Sequence, residues 1–193
     1  MPQHKQFDVN EVLERAMHAF WNRGYEATSV QDLVECTGIN RGSIYGTYGD
    51  KHALFLAALR RYDQKIRHEL LTNLESRYTP REAIRQVFLS FSDHATESGD
   101  NPGCFLTNTA LELAAHDGDV REIVAHGQKE LEDFFARMIR EGQDKDQIPA
   151  RIRPRQAARG LLATLQGLVV LTRSRPNRAL LRAIVDDAMQ RLV

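Results

Sequence analysis

The sequence predicts an all-α protein: a three-helix N-terminal head carrying a helix-turn-helix, followed by a larger helical-bundle body, about nine helices in all, assembled as a dimer. Three observations carry this. Apolar residues recur at spacings of three and four along most of the chain, and no stretch sustains the alternation of a strand. Two very short helical segments near residue 40 are separated by a glycine-containing turn. The last two segments are apolar on more than one side, which leaves one side for the body and another for a second copy.

Taken in order, Val9, Val12, Leu13, Ala16 and Phe20 share one face of a first helix, and Gly24 closes it. Thr28 with Gln31, or Ser29 with Asp32, then caps a second helix of about two turns. The turn Thr37-Gly38-Ile39-Asn40 breaks that helix, and Asn40 caps a third running from Arg41 to about Tyr48. After Gly49-Asp50, a single long helix is expected from Lys51 to about Asn73, linking head to body. In the body, Thr79-Pro80 starts a helix to about Ser98 and Gly99–Gly103 breaks it. Further helices are expected from Cys104 to about His116, from Asp117-Gly118 to about Gly142, from Pro154 to Thr172 and from Asn177 to Val193. The domain division placed here is 1–50 and 51–193.

Composition excludes several classes. No stretch approaches the roughly 20 apolar residues of a membrane span, and Met1–Gln6 leads into a charged amphipathic segment rather than a secretory core. A cytoplasmic protein with no membrane partner is expected. Cys36 and Cys104 form no Cys-x-x-Cys pair, so neither a zinc site nor a disulfide framework is suggested, and Cys36 reads as a small buried hydrophobe. Glu14 with His18, Glu112 with His116 and Glu122 with His126 are spaced at four, not in the Glu-x-x-His arrangement of helical metal centres. No nucleophile elbow, phosphate loop or dinucleotide fingerprint occurs. Neither enzyme nor cofactor is expected.

Net charge is zero, with 26 basic and 26 acidic residues, which speaks against a chain coated in nucleic acid. Its distribution speaks the other way. From Arg41 to Arg67 the basic residues are Arg41, Lys51, Arg60, Arg61, Lys65 and Arg67, against only Asp50 and Asp63. A local positive strip is what a groove-reading element needs. The last four of these are equally consistent with the solvated face of a long helix.

The stretch Phe20-Trp-Asn-Arg-Gly-Tyr-Glu-Ala-Thr-Ser-Val-Gln-Asp-Leu33, with Thr37-Gly-Ile-Asn-Arg-Gly-Ser-Ile-Tyr-Gly-Thr-Tyr-Gly-Asp-Lys-His-Ala-Leu54, closely resembles the DNA-binding head of the TetR family. The resemblance covers about the first third of the chain. It implies a head that binds operator DNA and a divergent body that senses a small molecule and dimerises through the last two helices. Thr28, Tyr45 and Lys51 are the implied phosphate contacts, with Ser29 and Asn40 at the helix starts; these position rather than specify. Arg41, Ser43 and Thr47 are the candidates for base edges, Arg41 through a bidentate bond to guanine. Gly42 and Gly46 leave room for close approach, and Tyr48 anchors the short helix against the first. Asn40, Tyr48 and His52 depart from common family choices without removing a needed group.

Beyond the head, Cys104 follows Pro102-Gly103 and is expected in the first turn of a helix, where free amides and the helix dipole favour a thiolate. The surrounding run, with Phe105 and Asn108, resembles a TetR subgroup in which a cysteine here answers electrophiles or oxidants. A non-covalent effector is the alternative, in an apolar pocket lined from Tyr62, Phe88, Phe91, Phe105, Phe134 and Phe135. Operator DNA, a small-molecule or electrophile effector and a second copy of the chain are the expected partners. The competing function is a helical protein-binding adaptor that binds no DNA, which would have no use for Arg41, Gly42, Ser43 and Tyr45 at this spacing.

Overall fold

In a computed structural model, which describes residues 7–97 and 101–193, α1 spans Val9–Arg23, α2 Val30–Thr37 and α3 Arg41–Tyr48. Each start is fixed by a side chain. Asp8 accepts from the Asn10 amide and Asn40 from the Ser43 amide, both at 2.8 Å. Of the two arrangements open for α2, the Ser29–Asp32 capping box forms, each side chain bonded to the other's backbone N–H. Gly38 ends α2 in the left-handed conformation, and Ile44 is the buried knob that seats α3.

The long helix expected from Lys51 is interrupted. It consists of α4 (Lys51–Arg61), a π-helical turn over Tyr62–Arg67 and α5 (His68–Arg77). At the π turn Asp63 and Arg67, only 5% and 7% exposed, face inward and pair at 2.5 Å. They face α8 where Gly127 leaves space: a Cβ there would lie 2.6 Å from Leu106 Cδ1 and 2.9 Å from Asp63 Oδ1. Arg67 is thereby corrected from a possible phosphate contact to an internal ion pair. Arg61 too is occupied, donating to Glu14 of α1 at 2.5 Å.

The body continues with α6 (Pro80–Glu97), α7 (Phe105–Glu112), α8 (Gly118–Asp144), α9 (Pro154–Ser174) and α10 (Arg178–Gln190). The expected absence of a leader in Met1–Gln6, and Ser98 to Asp100 of the expected helix end and break, lie outside the described residues. α7 is shorter than expected, because the chain leaves the helix at Leu113 and turns through His116 before Asp117 caps α8. No strand occurs among the described residues, and none of the helices is long and apolar enough to cross a membrane.

α8 packs along α9, with α6 laid across both and against α10. Phe88, Phe134, Phe135, Leu165, Leu168 and Leu181 fill the space between them. α4 packs on α1, so Leu54, Phe55, Ala58 and Leu59 complete the head's core with Ala16, Met17, Phe20, Leu33 and Ile44. The Phe20 and Phe55 rings meet edge to face at 5.1 Å. Three of the arginines that follow Pro149 bond within the chain: Arg155 to Asp133, Arg159 to Glu132 and Arg151 to the Val193 carbonyl.

Candidate nucleic-acid interface and effector cleft

The exposed side of α3 presents Arg41, Gly42 and Gly46, with Ser43 and Tyr45 half-exposed beside them. Arg41 lies along Tyr45, its guanidinium 5.2 Å from the ring centre and bonded to the phenol oxygen at 3.1 Å. Lys51, at the start of α4, lies 4.2 Å over the Tyr25 ring. Among the described residues no carboxylate comes within ion-pair distance of Arg41 or Lys51, whereas Arg15 and Arg23 are paired with Glu11 and Asp32. The described head therefore keeps two cations without a carboxylate partner, Arg41 on α3 and Lys51 at the start of α4.

Two expected contacts, Thr28 and Thr47, are placed differently. Thr28 is fully buried and donates its hydroxyl to the Gly24 carbonyl at 2.6 Å, which ties the turn between α1 and α2; a phosphate bond would require that tie to break. Thr47 is half-buried, and its hydroxyl oxygen is buried without a partner among the described residues, so it does not reach outward as a base reader. Tyr48 anchors α3, donating its hydroxyl to the Val9 carbonyl at 3.1 Å. Ser29 and Asn40 are exposed, with their side chains engaged as caps.

In the body a cleft of roughly 630 Å³ opens beside the π turn. Tyr62, Lys65, Ile66 and Arg67 come from that turn, Phe91 from α6, and Asn101 to Cys104 form the far wall. The walls are mostly apolar with a few polar groups, the usual make-up of a small-molecule site. Of the expected sensing residues Tyr62, Phe91 and Cys104 meet here. Phe88 and Phe105 do not line it; both are fully buried packing residues. Asn108 points elsewhere, bonding the Pro102 carbonyl at 2.7 Å.

Cys104 is not within the first turn of α7 but caps it in extended conformation (φ −100°, ψ 125°), and its side chain accepts no bond from the helix amides. The structure supplies a different neighbour. Tyr62 donates its hydroxyl to Cys104 Sγ at 3.5 Å, and burial, with the thiol adding to it, holds that phenol well above its ordinary pKa, so the donor stays protonated.

Four ties that sequence spacing did not reveal fasten the head and α4 to each other and to the body. Trp21 of α1 donates its indole N–H to the Gly103 carbonyl at 3.0 Å and meets the Tyr62 ring edge to face at 4.9 Å. At the other end of α7, Glu112 accepts the backbone N–H groups of Tyr25 (3.2 Å) and Glu26 (2.9 Å). Gly24 permits this: at φ 87° its backbone favours glycine, and a Cβ would lie 2.8 Å from Glu112 Oε2. Arg61 bonds Glu14, and His52 Nε2 lies 2.6 Å from Asp117 Oδ2.

Asp117 is held below the ordinary carboxylate range, first by the Val120 N–H it caps and further by His52. A depressed carboxylate contributes stability above its unfolded value near 4 and loses it as pH falls through the folded value. Asp117→Asn, which keeps a cap but loses the charge that favours the helix start and pairs with His52, is accordingly expected to be less stable at neutral pH by up to about 1 kcal/mol, read as a lower Tm. The difference should begin to narrow as pH falls below about 4 and close only below the folded value; a Tm difference that stays constant down to pH 3 would show the carboxylate's charge to be irrelevant.

Residues 12–58 match the family model described as bacterial regulatory proteins, tetR family, and residues 80–189 that of the tetracyclin repressor-like C-terminal domain. The chain belongs to the TetR family. Among its TetR-family relatives, an uncharacterized HTH-type regulator of Bacillus subtilis, YezE, is 34% identical over 77% of this chain and 76% of its own. The repressor ComR of Escherichia coli is 29% identical over 88% and 81%. A cysteine mutant of the TetR-family regulator CifR, solved with a 26 bp double-strand operator DNA, superposes with a TM-score of 0.83 at 27% identity over 96% of this chain and 97% of that one. Reduced NemR of Escherichia coli, 18% identical, shares the fold over 93% of both chains with the same TM-score. As a TetR-family member the protein is a DNA-binding transcriptional regulator, which disposes of both the enzyme and the adaptor.

Proposed function

We propose that this protein is a homodimeric repressor that binds an inverted-repeat operator through α3 and releases it when a small apolar molecule enters the cleft beside Cys104. Residues 1–50 form the reading head and 51–193 the sensing and dimerising body, with α4 serving both, and the protein works in the cytoplasm. The observation that carries this is the outward side of α3, where Arg41, Gly42, Ser43 and Tyr45 are accessible while Ile44 seals the core behind them. The operator complex of CifR and the repressor activity in the name of ComR support the same assignment. Self-association runs through α9 and α10, whose outer faces carry Ala163, Gly167, Val170, Ala179 and Ala183 exposed. Two heads so joined meet successive turns of one face of DNA.

The cleft favours an effector that is largely apolar, and the thiol in its wall supports a soft electrophile. In that reaction Cys104 Sγ bonds to the β-carbon of an activated double bond and the thiol proton passes to the acceptor's α-carbon. No oxidant is consumed. Selection from a random duplex library is expected to return an inverted repeat whose binding weakens steeply with salt. Arg41→Ala should bind it at least tenfold more weakly, in line with the roughly 1–3 kcal/mol of a base contact. Treatment with N-ethylmaleimide should release the parent and not Cys104→Ser. Enrichment of no duplex at low salt would sink the operator reading, and equal release of both chains would remove Cys104 from it.

A further inference from the structure

We propose that the dimer contact extends beyond α9 and α10 onto α7, where Leu111 of one protomer packs against the partner, so that the helix gripping one head is held by the other copy. This builds on the α9/α10 dimer proposed above. Leu111 is 74% exposed in the last turn of α7, while Phe105 and Leu106 of the same helix are buried and Ala110 and the C-capping Leu113 half-buried. Beside it Val170 of α9 is exposed, and the two line one groove of roughly 510 Å³ with Asn108, Glu112 and Arg173.

Val170 is also the end of a row. Ala163, Gly167 and Val170 are spaced by four and three, so they lie on one face of α9, and all three are exposed. The apolar surface is thus continuous from the face that pairs α9 to Leu111. An isolated exposed leucine asks for no explanation, but one contiguous with a self-pairing face does. In a two-fold contact the same patch meets on both protomers, so a residue at the edge of that patch on one copy lies at its edge on the other. A second copy is therefore the occupant. The consequence is regulatory, because Glu112, the next residue, holds the Tyr25 and Glu26 amides of the head.

The test compares the parent, Leu111→Asp and Gly167→Arg by sedimentation velocity over a concentration series. Gly167→Arg is expected to be monomeric, and Leu111→Asp to associate at least tenfold more weakly than the parent. If Gly167→Arg is monomeric and Leu111→Asp associates like the parent, the extension onto α7 is overturned and the α9/α10 dimer stands. If Gly167→Arg remains dimeric, the α9 face is not the interface and the proposal falls with it. A nitroxide on Leu111→Cys, in a chain also carrying Cys36→Ser and Cys104→Ser, gives a reading that does not depend on weakening the dimer. It should be immobilised, and freed on adding Gly167→Arg; rapid tumbling in the intact dimer overturns the contact.

Discussion

Replacing Asp63 with alanine is expected to cost about 3–5 kcal/mol of folding stability, the usual penalty for leaving a buried charge without its partner. The group left behind is Arg67, whose Nε is bonded to Asp63 Oδ1 at 2.5 Å. Its other carboxylate neighbour, Glu130, lies at 3.7 Å and is substantially exposed, so it offers weak compensation. A further guanidinium nitrogen, Nη1, is already buried without a hydrogen-bond partner among the described residues. His126 Nδ1, 3.3 Å from Asp63 Oδ2, would lose its contact as well.

Urea unfolding at fixed protein concentration measures this, since self-association makes the midpoint concentration-dependent. The double variant Asp63→Leu with Arg67→Met is expected to recover most of the loss, because well-packed apolar side chains of similar volume often replace a buried ion pair without penalty. A loss below about 1 kcal/mol in Asp63→Ala would mean that Glu130 or water serves Arg67 adequately. Recovery in the double variant would also bear on function. The pair occupies the π turn that forms one wall of the cleft, so a stable chain lacking it asks whether the turn's geometry or its charge shapes the site.

The head was legible because its signals are local. Caps, the glycine turn and a two-turn apolar face lie within a few residues of one another, and the structure selects the Ser29–Asp32 capping box from the two arrangements the sequence leaves open. The π turn was not read, although a trace of it exists: Tyr62, Ile66 and Leu70 all line the cleft at a spacing of four, which drifts off one face of a regular 3.6-residue helix. Thr28 and Thr47 were assigned outward roles because residue type says nothing about which way a hydroxyl turns. Neither the Tyr62–Cys104 contact nor the Trp21–Gly103 bond could be read from spacing, since their partners stand 42 and 82 residues apart. Such pairings follow from how α1, α4 and α7 pack, not from any periodicity.

Glu112→Ala is expected to loosen the head from α7 while leaving both folded. The carboxylate accepts two backbone N–H groups that otherwise lack described partners, and hydrogen bonds to a charged group are each worth about 1.5–3 kcal/mol. The cost falls on a local opening rather than on the core, because Phe20, Phe55 and Phe105 continue to pack. Amide hydrogen exchange at Tyr25 and Glu26 should therefore accelerate by at least about tenfold with little change in Tm. Glu112→Gln should fall between, since an amide offers a single acceptor oxygen where the carboxylate offers two. If α7 carries a signal from the cleft to the turn after α1, maleimide-induced release from operator should weaken in the same order, with operator affinity before treatment within about threefold of the parent's. Accelerated exchange with undiminished release would leave Glu112 a structural clamp and assign the coupling to Trp21, which ties the opposite end of the helix through Gly103.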